Sequence, residues 1–122
     1  MTAPPFGYHD IIDRALTALP EFRDSYEKEA KRWTEEPMGP YNVFDIILMP
    51  RVVELLKSHG DEDLLRRTFA FIETLLAHPK QEVRDVAAVG ACEELCADEL
   101  VLQKACRLMG PKTKECCDSY LK

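Results

Sequence analysis

Apolar residues recur three or four positions apart through most of the chain, and short polar or proline-containing breaks separate these stripes. This spacing places the apolar side chains on one face of a helix. No stretch shows the sustained alternation with a period of two that is typical of a strand. The pattern predicts an all-α fold of six or seven helices packed as stacked antiparallel hairpins. The predicted helices span residues 8–19, 20–33, 41–59, 62–78, 80–96, 98–109 and 112–121.

Prolines, glycines and aspartates refine the helix boundaries. Residues 35–40, with two prolines and a glycine, form the clearest loop. Pro50 falls inside the third predicted helix, where it removes a backbone donor, so we expect a kink or a break at this point. Gly60 is expected to close that helix, and Asp61 to cap the next one. Asp98 is placed to cap the sixth helix.

Composition fits one helical domain over residues 1–122, with an N-terminal helical pair in residues 1–36. Of the 122 residues, 46% are apolar and 31% charged, so the chain can bury a core and still dissolve. No apolar run approaches the ~18 residues of a membrane span. The first residues lack the basic start and apolar stretch of a signal peptide, so we expect a cytoplasmic protein with no membrane contact.

The net charge of −6 limits the choice of partner. A nucleic-acid binder needs a basic face, and the chain has no basic cluster, so we predict no nucleic-acid partner. An acidic surface suits a basic protein partner, because opposite charge steers association. Solubility alone would also explain the acidity.

The five cysteines are interpreted as small buried apolar residues. Their number is odd, and none forms the Cys-x-x-Cys pair that zinc sites favour, so we predict no disulfides and no metal. On a helix Cys92 and Cys96 share one face, and Cys106 is expected to pack nearby. A reactive thiol at Cys116 or Cys117 is an alternative that requires a markedly lowered pKa. The cysteines are residues 92, 96, 106, 116 and 117.

No catalytic motif is present in the sequence. The chain has no glycine-rich phosphate loop, no Gly-x-Ser-x-Gly and no His-Glu-x-x-His, so we predict neither enzyme activity nor a cofactor. His59 and His78 fall at predicted helix ends, where an imidazole can meet the carbonyl end of a helix. We interpret both as capping residues.

Glu73 and Glu94 lie on otherwise apolar helices. A carboxylate in such a position needs hydrogen-bond or ionic partners when it is buried. Each can accept hydrogen bonds from a neighbouring helix terminus, pair with an arginine, or line a partner-binding face. The sequence leaves these alternatives open.

Residues 61–96 resemble a HEAT-type helical hairpin. A first helix is followed by a tight turn at Pro79, and Glu82-Val83-Arg84-Asp85 opens the second helix. The resemblance implies that Val83 packs in the core and that Arg84 ties down the inter-repeat turn. Only this hairpin matches well, so we expect residues 41–122 to be HEAT-like rather than a long solenoid.

A second resemblance covers residues 37–118. Tyr41-Asn42-Val43-Phe44, Phe71-Ile72-Glu73, residues 89–95 and Met109-Gly110-Pro111-Lys112-Thr113 together resemble a family of small bacterial helical proteins that is similar to toxin-immunity proteins. The resemblance implies an immunity protein that binds and neutralises a cognate protein toxin with a basic surface. The alternative is a HEAT-like scaffold or adaptor domain without inhibitory activity.

Two acidic sets beside turns are the candidate partner contacts. Aromatic side chains flank the first set, as is typical of interface hot spots, so residues 35–41 are the first candidate. The second set either caps a helix and is solvated or contacts the same basic surface. The candidate residues are Trp33, Glu35, Glu36, Met38, Tyr41, Asp61, Glu62 and Asp63.

Overall fold

A computed structural model describes residues 6–121 of the chain. Over these residues the fold is all-α and contains no strand, which confirms the predicted fold class. This part of the chain contains seven helices, and each agrees with a predicted helix to within a few residues. Short turns join them, except that residues 31–39 form a longer connection between the second and third helices. The helices are α1 (8–18), α2 (20–30), α3 (40–58), α4 (Glu62–Leu76), α5 (81–96), α6 (99–108) and α7 (Pro111–Leu121).

Side-chain caps start two of the helices where the sequence placed them. The Asp61 carboxylate accepts a hydrogen bond from the Leu64 N–H at 3.1 Å. The Asp98 carboxylate accepts from the Leu100 and Val101 N–H groups at 3.0 and 3.2 Å. These three bonds satisfy amides that have no partner within the first helical turn, so both predicted caps are confirmed.

The end of α3 differs from the prediction. His59, and not Gly60, adopts the left-handed conformation, with φ of 57°. Gly60 still helps to close the helix, because its N–H donates to the Leu55 carbonyl at 3.1 Å. A Cβ at this position would lie 3.0 Å from Leu55 Cδ2, so the chain passes close to α3 here. The glycine does not supply a positive φ.

Pro50 does not break α3. Residues Val43–Leu48 form a π-helical segment, and Met49–Ser58 continue as α-helix. Pro50 has no N–H to donate, and its ring crowds the preceding turn. The wider π turns directly before it accommodate the ring, so the helix stays continuous and the expected kink or break is replaced by a local widening. Residues Ala88–Cys92 of α5 form a second π segment.

Helix α4 is the centre of the fold. It packs against α1, α3, α5, α6 and α7, and its buried residues form one broad apolar face. The buried Thr68 hydroxyl donates to the Leu64 carbonyl at 2.7 Å, so it adds no unsatisfied polar group. All seven helices contribute to one apolar core. None of the helices in residues 6–121 combines the length and apolarity that crossing a bilayer requires.

Candidate functional site

A groove runs along the crossing of α3 and α5, at the π-helical segments of both helices. Its volume is about 280 Å³. Tyr41 and Asp45 lie four residues apart on α3, and Val89 and Glu93 lie four apart on α5. We call this surface the acidic groove. It is lined by Tyr41, Asn42, Asp45, Val89, Gly90, Glu93 and Glu94.

Close packing of two π segments forms the crossing on which the groove lies. A Cβ on Gly90 would lie 2.9 Å from Phe44 Cβ and 3.0 Å from its Cγ, so the α5 backbone rests directly on the phenylalanine. Any larger residue at position 90 would push the helices apart. The buried contact between Gly90 and Phe44 therefore sets how the groove's exposed side chains stand relative to one another.

The groove combines negative charge with exposed apolar surface. Asp45, Glu93 and Glu94 are exposed, and none of them pairs with a lysine or arginine described in the structure. Tyr41 is 37% exposed and Val89 46%. Partial burial, and then the negative charge of nearby Asp85, raises the pKa of the Tyr41 hydroxyl. The groove can therefore receive a cationic side chain and pack against its aliphatic part.

Tyr41 is the one predicted contact residue that lines the acidic groove. The first predicted set otherwise surrounds a separate hollow of about 250 Å³. There Glu35 and Glu36 are exposed, Trp33 is half-buried and Met38 is 5% exposed. Met38 thus anchors the loop in the core, and the loop's exposed polar residues are the acids beside it.

The second predicted set is occupied by contacts within the chain. Asp61 caps α4, and Glu62 accepts two hydrogen bonds from Arg107 of α6 at 2.5 and 2.8 Å. The Arg107 hydrogen bonds, more than any other influence, lower the pKa of Glu62. Asp63 accepts from Arg67 at 2.8 Å, and the same guanidinium binds a carboxylate of α2. Glu62 therefore links α4 to α6, whereas Asp61 and Asp63 make their contacts within α4.

Sequence reasoning missed Asp45, Val89 and Glu93. Each looks like an ordinary exposed position on an amphipathic helix, and only the packing of α3 on α5 brings them together. The sequence offers only a partial signal, the glycine at position 90, because small residues on a helix face let another helix approach closely.

The side chain of Glu73, on α4, caps the N-terminus of α7. We call this contact the α4–α7 junction. The Glu73 carboxylate accepts hydrogen bonds from the Lys112 and Thr113 N–H groups at 2.8 and 2.9 Å, and from the Thr113 hydroxyl at 2.8 Å. Burial is the largest single influence and raises the pKa of Glu73. The three donors and the Lys112 charge together outweigh it, so the pKa is lowered. Glu73 therefore accepts hydrogen bonds from a neighbouring helix terminus, which was one of the alternatives for both glutamates. Glu94 instead lines the acidic groove.

The turn between α4 and α5 is held by Arg84. Its Nη1 donates to the carbonyls of His78 and Pro79, both at 2.8 Å, so Arg84 does tie down a turn, the one within this hairpin. The His78 ring does not cap the end of α4. Its Nδ1 accepts from the Lys80 N–H at 3.1 Å, and its Nε2 lies 2.5 Å from the Phe6 carbonyl. His59 closes α3 through its backbone instead, and its ring Nε2 lies 3.3 Å from Lys104 Nζ.

Comparison with known protein families assigns the chain to one of them. Residues 12–122 match the model of a family described as "Domain of unknown function (DUF7674)". The chain belongs to this family. No curated protein and no solved structure matches it. The candidate site of this DUF7674 domain therefore rests on its own geometry.

Four of the domain's five cysteines meet between α5 and α7. Cys92 and Cys117 are buried, and Cys96 and Cys116 are half-buried. The Cys96 thiol donates to the Cys117 carbonyl at 3.6 Å. The prediction that Cys106 packs nearby is wrong, because Cys106 lies in the last turn of α6 and is exposed. All five thiols are free.

Interactions between neighbouring thiols shift the pKa values of these cysteines in different directions. The pKa of Cys92 is raised, first by its hydrogen bond to Cys117 and then by burial. The same hydrogen bond, against the effect of burial, lowers the pKa of Cys117 to about 7. Cys117 is only 2% exposed, so its thiolate is shielded from solutes. Within residues 6–121, no group of three or more His, Cys, Asp or Glu residues is arranged to hold a metal ion.

Proposed function

We propose that the chain is a protein-binding domain whose acidic groove receives a basic segment of a partner protein, and that this partner is a toxin which the domain neutralises. One observation carries the proposal. Three exposed carboxylates that pair with no lysine or arginine among residues 6–121 flank an exposed tyrosine and valine in one groove.

Electrostatics favour a cationic occupant. Like charges close together on adjoining helix faces repel one another, and a lysine or arginine placed between them relieves that repulsion. An arginine can also stack on the Tyr41 ring, which adds about 0.5–1 kcal/mol at an exposed site. The net charge of −6 attracts a basic partner from a distance and speeds association.

Binding of the domain to the toxin is sufficient to inhibit it. A domain of 122 residues that covers a cationic surface of an enzyme blocks access of the enzyme's substrate by bulk and by charge. The resemblance to toxin-immunity proteins supplies the partner class, and the groove supplies the contact. The expected complex is stoichiometric and weakens as salt concentration rises.

Co-expression with the protein encoded by the neighbouring gene tests the proposal. The groove variant combines Asp45→Asn, Glu93→Gln and Glu94→Gln. The matched control combines Asp13→Asn, Glu27→Gln and Glu99→Gln, three exposed acids outside the groove with the same total charge change. Wild type and control should protect cells and bind the toxin, and the groove variant should bind at least about tenfold more weakly.

Two results would contradict the proposal. Undiminished binding by the groove variant would remove the acidic groove as the contact, and an equal loss in the control would reduce the effect to net charge. A scaffold or adaptor function predicts a different outcome. In that case pull-down recovers a multiprotein assembly through the groove, and co-expression protects cells from no toxin.

A further inference from the structure

We propose that a groove between α1 and α4 binds a small amphiphilic carboxylate, a molecule with one anionic head and an apolar body of about the size of octanoate. The groove shares no lining residue with the acidic groove. The proposal rests on three features of this groove: its apolar lining, the contacts that bound it at both ends, and an arginine that has no acidic partner.

Helices α1 and α4 run antiparallel along the groove. The Arg67 Nη1 atom of α4 donates to the carbonyl of Ala18, the last residue of α1, at 3.3 Å. Beyond the other end of α4, the His78 ring packs against Phe6, which precedes α1, with the ring centroids 4.7 Å apart. We call the space between these contacts the α1–α4 groove. Its volume is about 460 Å³, which lies in the usual range of small-molecule sites.

The lining of the α1–α4 groove is mainly apolar. Phe71 is 7% exposed and contributes to the floor, and the exposed Ala18 and Ala70 leave room between the helices. No aspartate or glutamate is among its described lining residues. The hydroxyl of Thr74, which also lines it, already donates to the Ala70 carbonyl at 3.0 Å. The groove therefore offers a ligand apolar surface that water solvates poorly.

Contacts at both ends limit the length of the ligand. Arg67 bridges α4 to Ala18 and to Glu21 of α2, whose carboxylate accepts from Arg67 Nη1 at 3.0 Å. At the opposite end, Phe6 and Arg14 lie against each other. Between Arg67 and Thr74 the α4 helix rises by only about 10 Å. An extended chain of the size of octanoate fits this length, whereas a partner helix lying along the groove would meet the contacts at both ends.

The charge of the α1–α4 groove selects an anion. Arg67 donates to the carboxylates of Glu21 and Asp63, so its own charge is neutralised. Arg14 instead lies over the Phe6 ring, with its Cζ atom 5.2 Å from the ring centroid. Arg14 pairs with no aspartate or glutamate among residues 6–121. A ligand carboxylate supplies the missing partner, while Phe6 continues to support the guanidinium.

The ligand would therefore lie in one orientation. Its carboxylate pairs with Arg14, and its apolar body extends over Ala70 toward Ala18. Burial of the hydrocarbon supplies most of the affinity, and the ion pair fixes the direction of the chain. Because the groove exists only when α1 is packed on α4, the ligand binds the folded state alone. Octanoate should therefore raise the Tm of the protein as its concentration increases.

An NMR titration of the labelled full chain with octanoate tests the proposal. The expected result is saturable binding, with the largest shift changes at Ala18, Ala70 and Phe71. Ala70→Leu changes an exposed residue and fills the groove, so this variant should fold and should bind octanoate at least about tenfold more weakly. Ala97→Leu, the same substitution at an exposed position after α5, should leave the affinity unchanged.

The charge of the head group provides the second part of the test. Arg14→Gln should weaken octanoate binding about threefold, whereas Arg23→Gln, at an exposed position of α2 outside the groove, should not. Octylammonium has the same chain with the opposite charge, and it should bind in the groove more weakly than octanoate. Shift changes that do not saturate in the groove, equal affinities of the Ala70→Leu and Ala97→Leu variants, or equal binding of the two probes would overturn the proposal.

Discussion

The α4–α7 junction and the acidic groove both combine a closely packed glycine with a glutamate, but the glutamate has a different role in each. Each places a glycine at a close approach between two helices, Gly110 against Glu73 and Gly90 against Phe44. At the junction the carboxylate meets a helix N-terminus and accepts three hydrogen bonds. In the groove an aromatic ring fills the contact, and the carboxylates are left at the surface. A glutamate on an apolar helix is therefore structural or available for binding according to what the neighbouring helix presents to it.

Gly110→Ala should have the largest effect on stability. A Cβ at this position would lie 2.6 Å from both Glu73 Cδ and Oε1, and the hydrogen bonds of Glu73 prevent a small adjustment. Expelling the carboxylate removes the cap as well, so we expect a loss of about 3 kcal/mol in the free energy of unfolding, measured in urea. At Gly7 an added Cβ would meet only Asp10 Oδ2, at 3.8 Å, so Gly7→Ala is the control and should cost under about 1 kcal/mol. Equal losses would contradict the account of the junction.

Glu73→Gln should cost about 1–2 kcal/mol, because a neutral amide presents a donor to one of the two N–H groups that it must satisfy. Glu94→Gln, the same substitution on the groove side, should change stability by less than about 0.5 kcal/mol. Urea denaturation of both variants measures the contrast. If the two substitutions cost the same, the distinction between an occupied and an available glutamate fails.

The contribution of Glu73 should also depend on pH. The folded-state pKa of Glu73 lies below its unfolded value, so the carboxylate stabilises the fold above the unfolded pKa. That stabilisation is lost as pH falls through the lowered folded pKa. The stability difference between wild type and Glu73→Gln should therefore be largest near neutral pH and shrink in acid. A difference that grows on acidification would contradict the hydrogen-bonded carboxylate.

Gly90→Ala should have a smaller net effect of about 1 kcal/mol. Overpacking against Phe44 costs about 1–3 kcal/mol, and replacing a helical glycine by alanine returns about 1 kcal/mol. The variant should nevertheless disturb the groove, because the crossing of α3 and α5 must widen. Chemical-shift changes at Tyr41 and Val89 without global unfolding would support this account. An unchanged groove spectrum would show that Gly90 does not set the crossing.

The helices could be predicted because residues close in the sequence determine them. The acidic groove could not, because it depends on how distant helices pack. Asp61 and Asp98 could be recognised as caps because a cap is decided within a few residues. The sequence predicts where Pro50 disturbs α3, but it does not predict the π segment found there. Packing against neighbouring helices decides between a break and a π segment. Asp45 and Glu93 come together only through the register of α3 on α5. Cys96 and Cys117 likewise come into contact only through the packing of α7 on α5, which their separation in the sequence does not predict.

The most direct test of the acidic groove is an NMR titration of the labelled protein with a short arginine-rich peptide at physiological salt. The account predicts saturable binding, with the largest shift changes at Tyr41, Asp45 and Val89. It also predicts that the Asp45→Asn/Glu93→Gln/Glu94→Gln variant loses this binding while the Asp13→Asn/Glu27→Gln/Glu99→Gln control retains it. Shift changes spread evenly over the acidic surface, or equal weakening of both variants, would contradict the claim that the groove is a specific site for a basic partner.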